Sequence, residues 1–217
     1  MNPKISNILF DLDGSLTDPK EGIVNSILYA IKKLGIKEDS VLELDSFIGP
    51  PLRESFINRY GLSDKLADEA MTFYREYFAE KGMFENVVYL GVTDLLENLL
   101  QMNCKLFVAT SKPTIYSIEI LKHFNLAKYF VEIIGSNLDN SRTDKTEIIA
   151  YVLASHKLEA GNCIMIGDRK HDIIGAKNNS MKSIAVTYGY GSMDEIVAAH
   201  PDYIVNDCIE LGALFLF

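Results

Sequence analysis

The sequence contains no apolar run near the ~20 residues that a helix needs to cross a bilayer, so no membrane-spanning helix is expected. No secretory signal peptide is expected either, because Met1–Lys4 leads directly into the first predicted strand. Cysteine is scarce, and Cys104, Cys163 and Cys208 lie far apart with no C-x-x-C pair. Since Cys104 and Cys163 border apolar stretches, we expect small buried hydrophobic residues in a reducing, cytoplasmic setting.

Basic residues are outnumbered, because 21 Lys and Arg stand against 30 Asp and Glu and the formal net charge is −9. This balance argues against nucleic-acid binding, for which a basic face is expected. An anionic small-molecule substrate stays open, since a metal ion and a few local basic side chains can reverse the sign of the charge within one cleft. Repeats and low-complexity segments are also missing, and 217 residues with 48% apolar side chains are typical of a globular chain.

The strongest local signal lies in Ile8–Asp18. An apolar run over Ile5–Phe10 stops abruptly at Asp11 and Asp13, and Gly14 follows. A short run of this kind predicts a buried parallel strand, and ligands bind at the carboxyl ends of such strands. Two aspartates at that position repel each other and favour a metal ion between them, although Asp and Gly are also ordinary turn residues.

The rest of the chain divides by its periodicity. Residues 19–85 show helical patterns alone, with Asp18 as the expected N-cap of the first helix and Pro19 at its first position. The remainder alternates between strand and helix, which predicts a parallel sheet covered on both faces. We therefore expect an α/β core domain of residues 1–18 and 86–217, interrupted by a helical domain of residues 19–85. Further helices are predicted over 51–60, 63–81, 92–102, 114–124, 143–156 and 173–179, and strands over 105–109, 131–134, 163–166, 183–186 and 202–205.

Three predicted strands end in polar side chains, which are Asp11 and Asp13, Thr110 and Ser111, and Asp168 and Asp172. Because the carboxyl ends of parallel strands share one edge of a sheet, we expect these groups to converge. Asp168 and Asp172 face one side if a helix begins between them. The four aspartates offer only hard oxygen ligands, which suits Mg²⁺. Helix capping is the alternative for Asp168 and Asp172, and both roles are compatible.

Two further positions suggest an anion site. Thr110–Pro113 places hydroxyl and amide groups where a helix is predicted to begin, which is a natural seat for an anion, with an ordinary helix cap as the alternative. Lys145 begins another predicted helix, where the helix dipole disfavours a cation. A lysine placed against that preference suggests contact with an anion, and a solvated side chain is the alternative.

Together these motifs resemble those of the haloacid dehalogenase superfamily of phosphatases, in particular its phosphoglycolate phosphatase-like branch. Asp11–Asp18 is similar to the first motif, with Ser15 where threonine or valine is commoner. Thr110 falls at the hydroxyl of the second motif, Lys145 at the lysine of the third and Gly167–Asp172 at the acidic fourth. The resemblance covers nearly the whole chain and implies a Rossmann-like, doubly wound parallel sheet with an inserted α-helical cap.

The same resemblance makes residues 19–85 the cap and Gly14–Asp18 its hinge. Ile48–Arg53 is similar to the cap loop that reaches the active site, so Arg53 is the candidate for contact with the remote end of the substrate. A plain connection between two helices is the alternative. Tyr188–Gly191 is also similar to this branch, but its glycines form no G-x-G-x-x-G unit, so no phosphate cradle is predicted there.

The resemblance implies a mechanism in which Asp11 attacks phosphorus and forms an aspartyl-phosphate. Asp13 would protonate the departing alkoxide and then take a proton from the water that breaks the intermediate. Thr110 and Lys145, with Ser111 beside them, would bind the phosphoryl oxygens.

For the metal, the resemblance implies Mg²⁺ held by the Asp11 carboxylate, the Asp13 backbone carbonyl and Asp168, with Asp172 supporting the site. The expected activity is hydrolysis of a small phosphorylated metabolite of the phosphoglycolate or nucleoside monophosphate type. A sugar-phosphate mutase of the β-phosphoglucomutase type is the alternative within the superfamily. A non-catalytic α/β module that binds a phosphate ligand or a protein is the alternative from another class. Neither nucleic acid nor a membrane is an expected partner, and the oligomeric state stays open.

Overall fold

The computed structural model describes residues 5–139 and 141–216, and the chain forms two compact units. The larger unit comprises Met1–Thr17 and Val88–Phe217, and the smaller unit is the intervening Asp18–Val87. Residues 1–4, on which the expectation about a signal peptide rests, lie outside the described residues. Among the helices of the described ranges, none combines the length and the apolarity that spanning a bilayer requires.

The strands of the described ranges are β1 Asn7–Phe10, β2 Thr17–Asp18, β3 Val87–Val88, β4 Lys105–Pro113, β5 Glu132–Ser136, β6 Cys163–Gly167, β7 Lys182–Val186 and β8 Tyr203–Val205. The α-helices there are α1 Lys20–Lys33, α2 Leu52–Tyr60, α3 Asp64–Tyr77, α4 Val92–Gln101, α5 Thr114–His123, α6 Lys145–His156, α7 Lys170–Asn178, α8 Met193–Ala199 and α9 Cys208–Ala213. Strands β2 and β3 pair with each other where the chain passes between the units, and the other six strands form one sheet in the larger unit.

The six-stranded sheet is parallel, with strand order β5-β4-β1-β6-β7-β8. The chain moves from β1 outward through β4 and β5, then returns to the other side of β1 for β6, β7 and β8. The strand order therefore reverses beside β1, which is where ligands bind in sheets of this type. Phe10 on β1 is level with Val108 on β4 and Ile166 on β6, so the residues that follow these three positions meet at one edge of the sheet.

The sheet is buried on both faces, which explains the continuous apolar runs of its strands. Ile8, Leu9 and Phe10 are at most 1% exposed. On one face, a core cluster brings side chains of β1, β4 and β6 together with residues from α6 and the end of α7. Its larger members are Leu9, Phe107, Ile148, Ile149, Val152 and Met165. The three cysteines are free and buried, as expected for Cys104 and Cys163.

The regular structure of the smaller unit is helical, as its periodicity predicts, apart from Asp18 and Val87 at its two ends, and several helix bounds differ from prediction. Helix α1 begins at Lys20, and Asp18 serves its start through Oδ1, which accepts a hydrogen bond from the Lys20 amide (3.0 Å). The predicted helix 63–81 is α-helical only to Tyr77 and continues as a π-helical turn over Phe78–Gly82. Side-chain periodicity does not distinguish these two backbone geometries, because a π-turn inserts only a local change of register.

In the larger unit, two short helices, α8 and α9, were not predicted. Their start signals are present, because Ser192 and Asp207 cap them through their side-chain oxygens. Seven and six residues are too few for an apolar period to repeat, so the pattern of these segments gave no helical signal.

Candidate active site

Three of the predicted carboxylates meet at the edge where β1 and β6 end. Asp11 follows β1, Asp168 follows β6, and Asp172 lies in the first turn of α7. The Asp11 amide donates to the Ile166 carbonyl (2.8 Å), which continues the pairing of β1 with β6 past the last strand residue. Each of the three aspartates is buried and offers an oxygen that lies within 4.8 Å of those of the other two.

Asp172 serves two purposes, as its position allowed. Helix α7 begins at Lys170, between Asp168 and Asp172, so the condition for these two residues to share a side is met. Asp172 Oδ2 accepts a hydrogen bond from the Arg169 amide (3.1 Å), which caps the helix. Its Oδ1 lies 2.7 Å from Lys145 Nζ and belongs to the carboxylate cluster. Asp172 therefore caps the helix and also lies in the carboxylate cluster, while its support of a metal ion stays a prediction.

Lys145 lies beside the carboxylates of the cluster and is only 4% exposed. The alternative that its side chain is solvated is therefore wrong. It is the first residue of α6, and its Nζ lies 2.9 Å from Asp11 Oδ1 and donates to the Ala109 carbonyl (2.9 Å). Burial lowers the pKa of Lys145, but the Asp11 and Asp172 carboxylates outweigh it and hold that pKa above its ordinary value. Lys145 is thus a fixed positive charge between two acids.

Asp13 lies beyond β1 in a tight turn and is paired with a lysine that the sequence did not single out. The turn is closed by the Leu12 carbonyl, which accepts from the amides of Leu16 and Thr17 (2.9 and 3.0 Å). Lys112 Nζ lies 2.5 Å from Asp13 Oδ2, and both side chains are largely buried. Burial raises the pKa of Asp13, and the Lys112 charge opposes this rise.

In the carboxyl-terminal half of β4, which extends to Pro113 rather than ending at the predicted residue 109, Thr110 is 2% exposed and lies two residues beyond the position that pairs with Phe10. Its Oγ1 accepts from the Lys112 amide (3.3 Å). The Ser111 Oγ donates to the Thr143 carbonyl (3.2 Å), and its contact with a substrate stays a prediction. Helix α5 begins at Thr114, as predicted, and Pro113 is its N-cap. The strand end thus brings Thr110 and Lys145 together, because Lys145 binds the carbonyl of the residue that precedes Thr110.

Arg53 belongs to the smaller unit, where it lies in the first turn of α2. Its guanidinium is paired with Asp64 Oδ1 and Asp68 Oδ1, each at 2.8 Å. These contacts place Arg53 between α2 and α3. Its contact with a substrate stays a prediction.

The larger unit offers donors that fit a divalent cation. Among the described residues none donates a hydrogen bond to the buried Oδ1 of Asp168, whereas its Oδ2 accepts from the Tyr190 amide (2.7 Å). Burial raises the pKa of Asp168 to about 8, and the Asp172 and Asp11 charges add to this rise. A buried carboxylate oxygen without a protein donor, beside two further carboxylates, is a donor set that Mg²⁺ prefers.

Residues 8–186 match the family model described as haloacid dehalogenase-like hydrolase. The chain belongs to this family. The match covers β1 from Ile8 onward, all of β4 and β6, and the predicted motif residues of these strands and the segments that follow them.

Individual relatives resemble the chain over nearly its full length. A Pseudomonas aeruginosa protein named 5'-nucleotidase is 47% identical, over 96% of this chain and 93% of that protein. A Vibrio parahaemolyticus protein named phosphoglycolate phosphatase is 30% identical, over 95% of this chain and 94% of that protein. A crystal structure of a predicted phosphatase from Clostridium acetobutylicum superposes with a TM-score of 0.93 at 46% identity, covering 98% of this chain and 99% of that one.

These findings confirm the predicted family, the α/β fold of the haloacid dehalogenase type and the enzyme class, a phosphoric monoester hydrolase. They leave the roles of individual site residues as predictions. The structure adds two features that sequence reasoning missed, Lys112 beside Asp13 and the backbone of Tyr190 beside Asp168. The signals were available, because Lys112 lies in the polar carboxyl-terminal part of β4 and the glycine-rich Tyr188–Gly191 comes shortly after β7.

Proposed function

We propose that this chain is a Mg²⁺-dependent phosphatase that hydrolyses a small phosphate monoester through an aspartyl-phosphate on Asp11. The observation that carries the proposal is the buried cluster of Asp11, Asp168 and Asp172 around Lys145, with Asp13 two residues beyond Asp11. It contains a nucleophile, cation ligands, a fixed positive charge and a second carboxyl group. These are the parts that transfer of a phosphoryl group to a carboxylate requires.

Asp11 is proposed as the nucleophile because its carboxylate is held in place. The Leu12 amide donates to Asp11 Oδ1 (2.7 Å), and Lys145 Nζ lies 2.9 Å from the same oxygen. Two donors on one oxygen fix the orientation of the group, and a preoriented nucleophile needs less ordering before it reacts. Covalent attack divides a difficult hydrolysis into formation and breakdown of an acyl phosphate.

Asp13 is proposed as the general acid and base. Burial raises its pKa, which favours the protonated form that can donate to the departing alkoxide. After the leaving group departs, the same carboxylate can accept a proton from the attacking water. Lys112 stabilises the ionised form of Asp13 between these steps, because its Nζ lies 2.5 Å from Oδ2.

Asp11 and Asp168 would hold Mg²⁺ by their carboxylates and Asp13 by its backbone carbonyl, with Asp172 in support. When bound, the ion supplies positive charge that reduces the repulsion between the nucleophile and the phosphate. Lys145 and the hydroxyl of Thr110 would bind the equatorial phosphoryl oxygens, where charge redistributes during transfer.

Nucleoside 5'-monophosphates are the first substrate class to test. The support is the 47% identity to the protein named 5'-nucleotidase, which extends over 96% of this chain. Phosphoglycolate is the second class, supported by the relative of that name at 30% identity. A sugar-phosphate mutase would use the same two aspartates, so the product separates it from a phosphatase.

The test is a screen of nucleoside 5'-monophosphates, phosphoglycolate and hexose 1-phosphates with Mg²⁺, ranked by kcat/KM for released inorganic phosphate. We expect phosphate release that stops on chelation, and Asp11→Asn should abolish it while the protein still unfolds cooperatively. Isomerised hexose phosphate without free phosphate would indicate a mutase. Turnover that persists in Asp11→Asn would contradict the assignment of the nucleophile.

A further inference from the structure

The segment that follows β7, Tyr188–Gly191, lies against two parts of the proposed metal site. Its backbone contacts Asp168, and the Tyr188 hydroxyl donates to the Ser15 carbonyl (3.0 Å) in the turn after Asp13. Tyr188 thereby connects the end of β7 with the loop that follows β1. None of the roles proposed above uses this segment.

The contact with Asp168 gives the two oxygens of its carboxylate different surroundings. The Tyr190 amide donates to Oδ2 at 2.7 Å, and none of the described residues donates to Oδ1. A carboxylate held on one oxygen by a backbone amide presents its other oxygen in a fixed direction. Groups that orient a metal ligand in this way contribute strongly to metal affinity.

The two glycines of the segment allow this approach. A Cβ atom on Gly189 would lie 2.4 Å from Asp168 Oδ2 and 2.4 Å from the Gly14 carbonyl oxygen. A Cβ atom on Gly191 would lie 1.9 Å from the Asp168 carbonyl oxygen. Real Cβ atoms do not come so close, and two of these three obstacles are backbone atoms that cannot rotate away. Glycine is therefore required at both positions if Asp168 keeps its place.

The chain just beyond the segment makes a second connection to the same strand end. Glu195 in α8 binds Arg169, with Oε1 2.9 Å from Nε, and accepts from the Lys170 amide (2.9 Å). Arg169 is the residue after Asp168 and the N-cap of α7. Residues that follow β7 therefore contact the Asp168 carboxylate, the Arg169 side chain and the Lys170 amide at the β6–α7 junction.

We propose that Tyr188–Gly191 is a positioning segment that sets the direction of the Asp168 carboxylate and presents Oδ1 to a divalent cation. The segment acts through Asp168. This inference rests on the proposed Mg²⁺ site and adds the reason why Asp168 is prepared for it.

The test is calorimetric titration of the intact protein with MgCl₂ in the absence of substrate, for the wild type, Gly189→Ala and Gly191→Ala. We expect Mg²⁺ affinity to fall about tenfold or more in both variants, the range found when groups that orient metal ligands are changed. Gly161→Ala is the matched control, because no atom lies within 4 Å of a Cβ at that position. Folded variants that bind Mg²⁺ as tightly as the wild type would overturn the inference.

A measurement on the wild type covers the case in which the glycine variants fail to fold. Hydrogen exchange of the Tyr190 amide, followed by NMR, should be slow without metal and slower still with Mg²⁺, because the acceptor is then held on both oxygens. Exchange as fast as in an open loop, with and without Mg²⁺, would overturn the inference. If the wild type itself binds no Mg²⁺ and releases no phosphate, the proposed function fails; if it does both and only these results are negative, the inference alone fails.

Discussion

The proposed chemistry depends on a single buried lysine shared by two carboxylates. Lys145 Nζ lies 2.9 Å from Asp11 and 2.7 Å from Asp172, and the side chain is 4% exposed. Replacing it by methionine leaves both acids in a buried site without their cation. We expect Lys145→Met to lower the free energy of unfolding of the metal-free protein by about 3–5 kcal/mol, the usual loss when one partner of a buried ion pair is removed.

Urea unfolding with and without Mg²⁺ checks this expectation. Added Mg²⁺ should recover part of the loss, because the ion restores positive charge beside the two acids, whereas phosphatase activity should stay low. Lys105→Met is the control, since Lys105 is exposed at the opposite end of β4. A Lys145→Met variant as stable as the wild type without metal would contradict the account.

Asp13 gives a second prediction at this scale. We expect Asp13→Asn to lower kcat by about 10²–10⁴-fold, the range for removal of a general acid or base. Steady-state kinetics under saturating Mg²⁺ measures this, with the melting temperature followed in parallel so that a loss of folding is recognised. A smaller loss in a folded variant would show that water or another group takes over the proton transfers.

The residues of the site show which contacts can be predicted from the sequence and which cannot. Asp11, Asp168 and Asp172 were expected to converge because parallel strands end on one edge, and the structure brings them together. Lys145 was suspected because a cation at a helix start opposes the helix dipole. The pairing of Lys112 with Asp13 was missed, because contacts between side chains at neighbouring strand ends depend on rotamers that no pattern of residues encodes.

Among the elements, the helical unit is held by an ion pair between α2 and the segment that follows α1. Arg59 Nη2 lies 2.6 Å from Glu38 Oε1, and the Glu38 side chain is 6% exposed. The Arg59 hydrogen bond holds the pKa of Glu38 at about 2, below its ordinary 4.5. The folded protein binds the proton of the Glu38 carboxyl group more weakly than the unfolded chain does. The stability that the pair of Arg59 and Glu38 contributes is therefore complete above pH 4.5 and is lost as the pH falls toward about 2.

We therefore expect Glu38→Gln to flatten the decline in unfolding free energy of the protein over this acid range and to lower its stability near neutral pH. Chemical denaturation at a series of pH values for the wild type and the variant measures both effects. Glu54→Gln is a suitable control, since Glu54 is an exposed carboxylate on α2, the helix that carries Arg59. Parallel pH profiles for the wild type and Glu38→Gln would contradict this assignment.

Elements were predicted well where apolar periods are long and poorly where they are short. The buried strands and α1 have strong patterns, whereas α8 and α9 are only seven and six residues long. The contacts of Tyr188–Gly191 with Asp168 were missed for a different reason. The Tyr190 backbone amide makes the contact with Asp168, and the close approach is possible because Gly189 and Gly191 have no side chain. A pattern of hydrophobic residues carries no information about either feature.

For the molecule as a whole, we expect Mg²⁺ to stabilise the folded protein through Asp168. A ligand bound only by the folded state adds about 2.7 kcal/mol at one hundred times its dissociation constant. We expect this gain in the wild type and its loss in Asp168→Asn, measured as the unfolding free energy with and without Mg²⁺. An Asp168→Asn variant stabilised as much as the wild type would contradict the proposed ligand.

Without metal, the unfolding free energy of Asp168→Asn should also depend on pH differently from that of the wild type. Burial raises the pKa of Asp168 to about 8, so the folded state binds this proton more tightly than the unfolded state, whose value is near 3.8. Metal-free wild type should therefore lose stability as the pH rises from 3.8 toward about 8, and Asp168→Asn should lose less. Near neutral pH the variant should thus be at least as stable as the metal-free wild type while lacking the gain from Mg²⁺.

Family and fold follow from the motifs, but the choice of substrate does not. The residues proposed for chemistry lie in the larger unit, whereas Arg53, the candidate for substrate contact, lies in the smaller one and is paired there with Asp64 and Asp68. Motif residues that handle a phosphoryl group are shared by many substrates, so the substrate class is decided by the screen of phosphate esters.

The central claim is that Asp11 carries the phosphoryl group. The most direct measurement is intact-protein and peptide mass spectrometry of Asp13→Asn mixed with p-nitrophenyl phosphate and Mg²⁺. The aryloxide leaves without a proton donor, while breakdown of the intermediate lacks its base, so one phosphoryl group should accumulate on Asp11 with one equivalent of p-nitrophenol. The doubly substituted Asp11→Asn, Asp13→Asn protein should show neither. Steady turnover by Asp13→Asn without an adduct, or an adduct on another residue, would contradict the account.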